Sequence, residues 1–245
     1  RVLPVFAPAA AARQLLGERV RPRALLTDPT RLAGVRPFVT GDTVRRIHWG
    51  ATARTGVLQV RRDDPTAGRR LWIVVDVETE PDDRWWSAGD TDVHETLAIV
   101  AASLAAWALR SGTAVGLSAN GRTAGSANDL WVQCAGNPRH LVRVLDALAR
   151  LRPWPSRPLY NAIGITSHGW PPDATVALVT AMPSVKKADA IWRGTRQSQQ
   201  IVTIACRDGD PLTGPELTSR AGRHATWHLA EPEADWSTRT VVRLG

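Results

Sequence analysis

The chain has 245 residues, of which 43% are hydrophobic, a formal charge of +8 and two cysteines. That composition supports a sizeable core and excludes a disordered chain and a disulfide framework, and no run approaches the eighteen or so apolar residues of a membrane span. The charge is one-sided: residues 1–70 hold 14 Arg against 5 acidic side chains, net +9, whereas residues 71–245 come to −1.

Taken in chain order, residues 1–70 read as irregular and β-rich, because Pro4, Pro8, Pro22, Pro29 and Pro37 leave no room for a long helix. Ala9–Leu16 supplies one short helical turn. Gly41-Asp42 is a turn signal, and Asp42 stands where it can cap a helical turn over Thr43–His48. Trp49 follows as a large apolar anchor whose indole N–H needs a partner. After Gly56, the residues Val57, Leu58 and Val60 read as a strand ending at Arg61-Arg62. Asp63-Asp64-Pro65 and Gly68 make a turn-rich joint that divides the chain into 1–70 and 71–245.

Beyond the joint the pattern changes. Leu71–Val77 is a continuous apolar run carrying Asp76 near its end, as a strand buried on both faces would be. Asp92 with Glu95 makes a capping-box-like start to a helix whose Leu97, Val100, Ala101, Leu104 and Ala108 share one face up to Arg110. Ser111-Gly112 ends it. Thr113–Ser118 reads as a strand, Asn120-Gly121 as a turn, and Leu130–Cys134 as a strand returning in a hairpin. Asn137-Pro138 opens a helix with a Leu141, Leu145, Leu148 stripe toward Leu151. After a Pro-rich crossing from Pro153 to Pro158, Ala174–Thr180 is a buried strand, Ser184 caps a helix running to about Arg196, and Ile201–Cys206 is a strand. Ala225–Leu229 and Thr240–Leu244 complete the set. Such alternation predicts an α/β fold with a mainly parallel, doubly wound sheet.

The segment Gly41–Arg62 carries a family resemblance. Gly41-Asp42, Arg45-Arg46-Ile47, His48-Trp49, Ala53-Arg54 and the strand ending at Arg61 resemble the signature of domain-of-unknown-function family 58, bacterial proteins with a von Willebrand factor A-like domain. The resemblance implies that residues 71–245 form that domain and that the protein works as an adaptor for a MoxR-type AAA+ ATPase, in assembling or maturing complexes at a membrane. It also implies membrane helices upstream, in keeping with an opening on Arg1 and not on Met. Arg13, Arg19, Arg21 and Arg23 then fit the positive-inside pattern and place the domain at the cytoplasmic face. Within the signature, Asp42, Arg45, Arg46, Trp49 and Arg54 are expected to hold the basic segment to the α/β domain or to a partner, and His48 to make a structural hydrogen bond. The basic segment suits an anionic membrane surface or a solvated Arg-rich face. A nucleic-acid partner is the weaker reading, since aromatic and basic residues do not interleave on one strand face.

In an open α/β sheet ligands sit beyond the carboxyl ends of the strands, which directs attention to Asp76. Von Willebrand A-like domains place a metal there with an Asp-x-Ser-x-Ser motif, and the aligned residues are Asp76, Glu78 and Glu80. Both hydroxyls have become carboxylates, and Thr180-Ala181-Met182 stands where Thr-Asp-Gly is common. The expectation is a degenerate site with no cofactor. Retained Mg²⁺ or Ca²⁺, and a metal-dependent hydrolase built on the three carboxylates, form the alternative. No Gly-x-Ser-x-Gly, nucleotide loop or His-Glu-x-x-His pattern occurs. His224 and His228 are four apart on strand-like sequence, His94 and His140 read as surface residues, and Cys134 and Cys206 as buried thiols. Trp85 and Trp86, beside the acidic loop, are candidate partner anchors, whereas Trp72, Trp107 and Trp131 fall on apolar elements and read as core.

Overall fold

The computed structural model describes residues 2–7, 12, 15–16, 32–39, 47–63, 70–80, 90–137, 139–195, 199–206, 224–228 and 242–244. Asp42, Arg45, Arg46, Trp85 and Trp86 lie outside them. The chain divides into two compact units, residues 19–68 and residues 1–18 with 69–245. The first eighteen residues thus go with the α/β unit and not with the signature. Strand β1 (Val5–Phe6) pairs in parallel with Val242–Arg243, and the Leu3 amide donates to Ser103 Oγ at 2.9 Å. Long-range pairing of the two chain ends is invisible to local sequence reading.

Among its described residues the smaller unit has an antiparallel pair, β2 (Leu32–Pro37) with β3 (Gln59–Asp63), and a helix between them, α1 (Trp49–Thr55). Of the helical turn expected over Thr43–His48, residues 43–46 lie outside the described residues, Ile47 bridges Val60, and His48 is the N-cap of α1, with Nδ1 accepting from the Ala51 amide at 3.0 Å. Gly56 ends the helix in the left-handed region, φ 70°, where a side chain would be strained, and its amide donates to the Thr52 carbonyl. Strand β3 starts at Gln59, two residues later than expected. Val57 and Leu58 form the exposed exit from that cap, and Thr52 Oγ1 takes the Gln59 amide at 3.0 Å.

Among its described residues the larger unit places seven strands in one sheet: β4 (Arg70–Val75), β5 (Ala114–Thr123), β6 (Asp129–Ala135), β7 (Leu151–Pro155), β8 (Thr175–Thr180), β9 (Ile201–Ala205) and β10 (His224–His228). Their order is β10-β9-β8-β4-β5-β6, parallel from β10 to β5 and antiparallel at β6, with β7 also pairing antiparallel to β5. The chain-end strand Val242–Arg243 is β11. Among the described residues, helices α2 (Thr91–Arg110), α3 (His140–Ala149), α4 (Leu159–Thr166) and α5 (Val185–Gly194) cover the sheet. Strand alternation sorts them. Leu71, Ile73 and Val75 pack with Leu97, Leu104, Val144 and Leu148 from α2 and α3, while Trp72 and Val74 pack with Leu159, Ile163 and Ile191 from α4 and α5. The sheet is therefore wound on both faces.

Several local readings are corrected by this packing. Asn120-Gly121 is no turn: β5 runs through it to Thr123, and the hairpin reverses around Gly125, φ 83°. The Pro-rich crossing contains β7, where Pro153 and Pro155 are tolerated because the strand pairs on one side, and it leads into α4, which the sequence reading lacked. The α2 cap is Asp90, whose Oδ1 accepts from the Asp92 amide at 3.0 Å, not Asp92 itself. His140 is buried, with Nε2 on the Val115 carbonyl at 2.7 Å, and is not a surface residue. His94 is partly buried, and burial lowers its pKa despite a backbone hydrogen bond. Trp131 sits on the edge strand β6 and stays partly exposed, its ring 4.5 Å from that of buried Trp72. Helix α2 has the length and hydropathy of a membrane span, but 61% of that stretch is buried within the fold, which makes it the core helix.

Candidate functional site

Four consecutive residues after β4, Asp76 to Thr79, are buried although three of them are polar. They stand at the carboxyl end of the sheet beside β8 and β5, and burying that much polarity requires a partner for each group. Backbone and side chains both supply them. The Asp76 amide donates to the Val179 carbonyl at 2.9 Å, continuing the parallel ladder by one residue. Asn120, in the middle of β5, accepts from the Val77 amide through Oδ1 at 2.8 Å. Its Nδ2 donates to Asp76 Oδ1 at 3.2 Å and to Glu78 Oε1 at 3.0 Å. Thr180, the last residue of β8, donates Oγ1–H to Asp76 Oδ2 at 2.8 Å and accepts from the Met182 amide. The Leu159 amide, at the start of α4, donates to Glu78 Oε1 at 2.5 Å.

The remaining charge is met by Lys187, only 2% exposed. Its Nζ lies 2.8 Å from Asp76 Oδ2 and 3.2 Å from Glu78 Oε2. Ser184 caps α5 by accepting the Lys187 amide, so Lys187 stands in the first turn, and helical side chains lean toward the N-terminus, here toward the strand ends. Burial and the neighbouring Asp76 carboxylate push Glu78 up to about 7, against the pull of Lys187 and the Leu159 amide. Burial by itself would lower the Lys187 pKa, but the two carboxylates outweigh it and raise it, so the ammonium stays charged.

These residues do not fit a divalent cation. The position between Asp76 Oδ2 and Glu78 Oε2 is taken by the Lys187 ammonium, and among the described residues no group of three His, Cys, Asp or Glu is arranged to hold a metal. The structure brings Asp76 and Glu78 together, as the sequence alignment of the motif required. Glu80 adds no hydrogen bond or ion pair to the cluster's described residues. Thr180 stands where the sequence alignment of the second motif puts it, whereas Lys187 and Asn120 are members of this cluster that the sequence reading lacks. A signal for Lys187 existed: with 29 Arg in the chain, Lys186 and Lys187 are its only lysines. Lys differs from Arg in offering a compact point charge on a flexible stem in place of a planar fork.

In the smaller unit, His48 caps α1 through Nδ1. Trp49 is 65% exposed, and Val39, Val57 and Leu58 are exposed as well. Arg54 is exposed, and its Nε donates to the Gly50 carbonyl of its own helix at 3.1 Å. That contact is local and anchors nothing beyond the helix. His224 and His228 lie on β10, a strand as expected. Cys134 and Cys206 are free thiols, half-buried and buried respectively, and burial raises them to about 11 and about 12, which makes them unreactive at neutral pH.

Comparison with known proteins follows the same lines. The sequence profile of the family described as protein of unknown function DUF58 matches residues 34–208. No curated protein matches the chain. Among solved structures, a von Willebrand factor type A protein from Catenulispora acidiphila is 14% identical, over 71% of this chain and 41% of that one, with a TM-score of 0.38. The VWA domain of SpRpn10 is 10% identical over 72% of this chain and 88% of its own, TM-score 0.38. An aerotolerance-related membrane protein from Bacteroides fragilis is 13% identical over 56% of this chain and 67% of its own, TM-score 0.36. The fold assignment rests on the strand order and pairing given above.

Proposed function

Because this chain belongs to the DUF58 family of proteins of unknown function, we propose that it is a non-catalytic interaction module, an adaptor for a MoxR-type AAA+ ATPase at the cytoplasmic face of a membrane. The observation that carries the reading is the state of the sheet's carboxyl end. Where an open α/β sheet offers its ligand site, the polar groups of this chain are buried and matched to one another, with Asp76 and Glu78 held by Lys187, Asn120 and Thr180. Carboxylates buried and paired in this way serve the fold before they serve a ligand, which favours an interaction module over a reaction that needs them free. The alternative, a hydrolase built on Asp76, Glu78 and Glu80, would need that ion pairing to open.

Exposed apolar residues in the signature region supply the other half of the argument. Trp49, Val57 and Leu58 stand in solvent beside Arg54, and Trp and Arg are the residues most enriched at the energetic centres of protein interfaces. The basic segment 1–70 adds attraction to an anionic leaflet, screened as salt rises. The test is equilibrium binding of the whole chain to the MoxR-type ATPase encoded in the same genome. Saturable binding that W49A and R54A weaken without lowering the melting temperature supports the adaptor. Failure to bind any such ATPase from that genome, or hydrolytic turnover abolished by D76N, overturns it.

A further inference from the structure

We propose that Lys187 is a built-in cation: it permanently occupies the place a divalent metal would take between Asp76 and Glu78, so that the site is metal-independent, and its removal creates a metal site. The inference concerns the sheet end alone and does not depend on the identity of any partner. Three features carry it. The ammonium is 2.8 Å from Asp76 Oδ2 and 3.2 Å from Glu78 Oε2, and all three side chains are almost completely buried. The outer faces of both carboxylates are already committed, Asp76 Oδ1 and Glu78 Oε1 to Asn120 and Glu78 Oε1 also to the Leu159 amide. The remaining oxygens, Asp76 Oδ2 and Glu78 Oε2, are left directed at a single point, with the Thr180 hydroxyl on Asp76 Oδ2. Such hard oxygen donors accept either an ammonium or a small divalent ion, but not both at once. The ammonium is delivered covalently, and Ser184 and the first turn of α5 hold the Lys187 backbone in place beside the two carboxylates.

A consequence follows from shape as well as charge. Shortening the side chain to Ala leaves two buried carboxylates and an opening of cation size, whereas Met fills the same volume without charge and without room for an ion. The experiment uses the whole chain and three proteins: wild type, K187A and K187M. Melting temperature is measured with EDTA and with millimolar Mg²⁺, Mn²⁺ or Ca²⁺, and Mn²⁺ binding is read directly by electron paramagnetic resonance. Wild type is expected to bind no Mn²⁺ and to melt at the same temperature throughout. K187A should melt roughly 10 °C lower in EDTA and recover several degrees with at least one of the ions, while K187M is lowered by a similar amount and recovers nothing. If K187A is unfolded in EDTA, the ion should restore its folded fraction. D76N in the K187A background should abolish the recovery. Mn²⁺ binding to wild type that D76N removes would overturn the proposal, and so would a K187A protein, folded or unfolded, that responds to none of the three ions.

Discussion

The two regions of this molecule with unusual residue content treat charge and surface in opposite ways. At the end of the sheet, two carboxylates, one ammonium, an amide and a hydroxyl are taken out of water and matched to one another. In the smaller unit, the helix of the signature leaves Trp49 and Arg54 in solvent, with Val57 and Leu58 beyond its cap. The first arrangement is costly to disturb and chemically closed. The second contributes little to folding and is open to a partner. Exposure, and not the position within a conserved type of fold, separates the element that stabilises this protein from the element that can recognise something else.

The comparison breaks most easily at Lys187. Replacing it by Met removes one member of a buried ion set and strands two carboxylates, which costs about 3–5 kcal/mol. Chemical denaturation of K187M should show that loss; a cost below about 1 kcal/mol would mean the cluster is hydrated and open. The next effect is pH-dependent. Glu78 is raised to about 7 in the folded chain from 4.5, so its contribution to stability is fully present below pH 4.5 and is lost as pH rises through about 7, an effect of about 3 kcal/mol. Lys187, with its pKa raised, keeps its contribution throughout that window. The difference in unfolding free energy between wild type and E78Q, measured from pH 4.5 to 8, should therefore shift in favour of E78Q as pH rises. A flat difference would place Glu78 in water.

A smaller effect is expected at Asn120. In N120A the buried Val77 amide loses its acceptor and both carboxylates lose a donor, so about 2 kcal/mol should be lost, with no change in partner binding. The smallest stability effect belongs to the exposed region. W49A and R54A should fall within about 0.5 kcal/mol of wild type in thermal or denaturant unfolding, because neither side chain is buried. Binding to the ATPase should nonetheless weaken. A large destabilisation in R54A would show that the arginine is tied into the fold by more than its Gly50 contact.

The legibility of these two regions in sequence also differs. The winding of the sheet was readable because Leu71–Val75, Thr175–Thr180 and Ile201–Ala205 are apolar runs of strand length separated by helical periodicity, a local property of the chain. The cap that His48 provides for α1 was not read as such, since the sequence reading put the helical turn over Thr43–His48 with Asp42 as its cap. Asn120 was misread, because Asn-Gly is a turn signal everywhere except where a buried neighbour needs the amide side chain, and that neighbour, Asp76, is 44 residues away. Asp76 and Glu78 could be named from the end of one apolar run. Their chemistry could not, because it depends on Lys187, which approaches from the helix after a different strand. The sequence by itself determined the alternating elements, their buried faces and the basic character of the first seventy residues, all of which follow from short-range patterns. Only the tertiary structure decided that Val5–Phe6 pairs with Val242–Arg243 and that Lys187 sits between Asp76 and Glu78. Both depend on which distant segments the sheet brings within hydrogen-bonding reach.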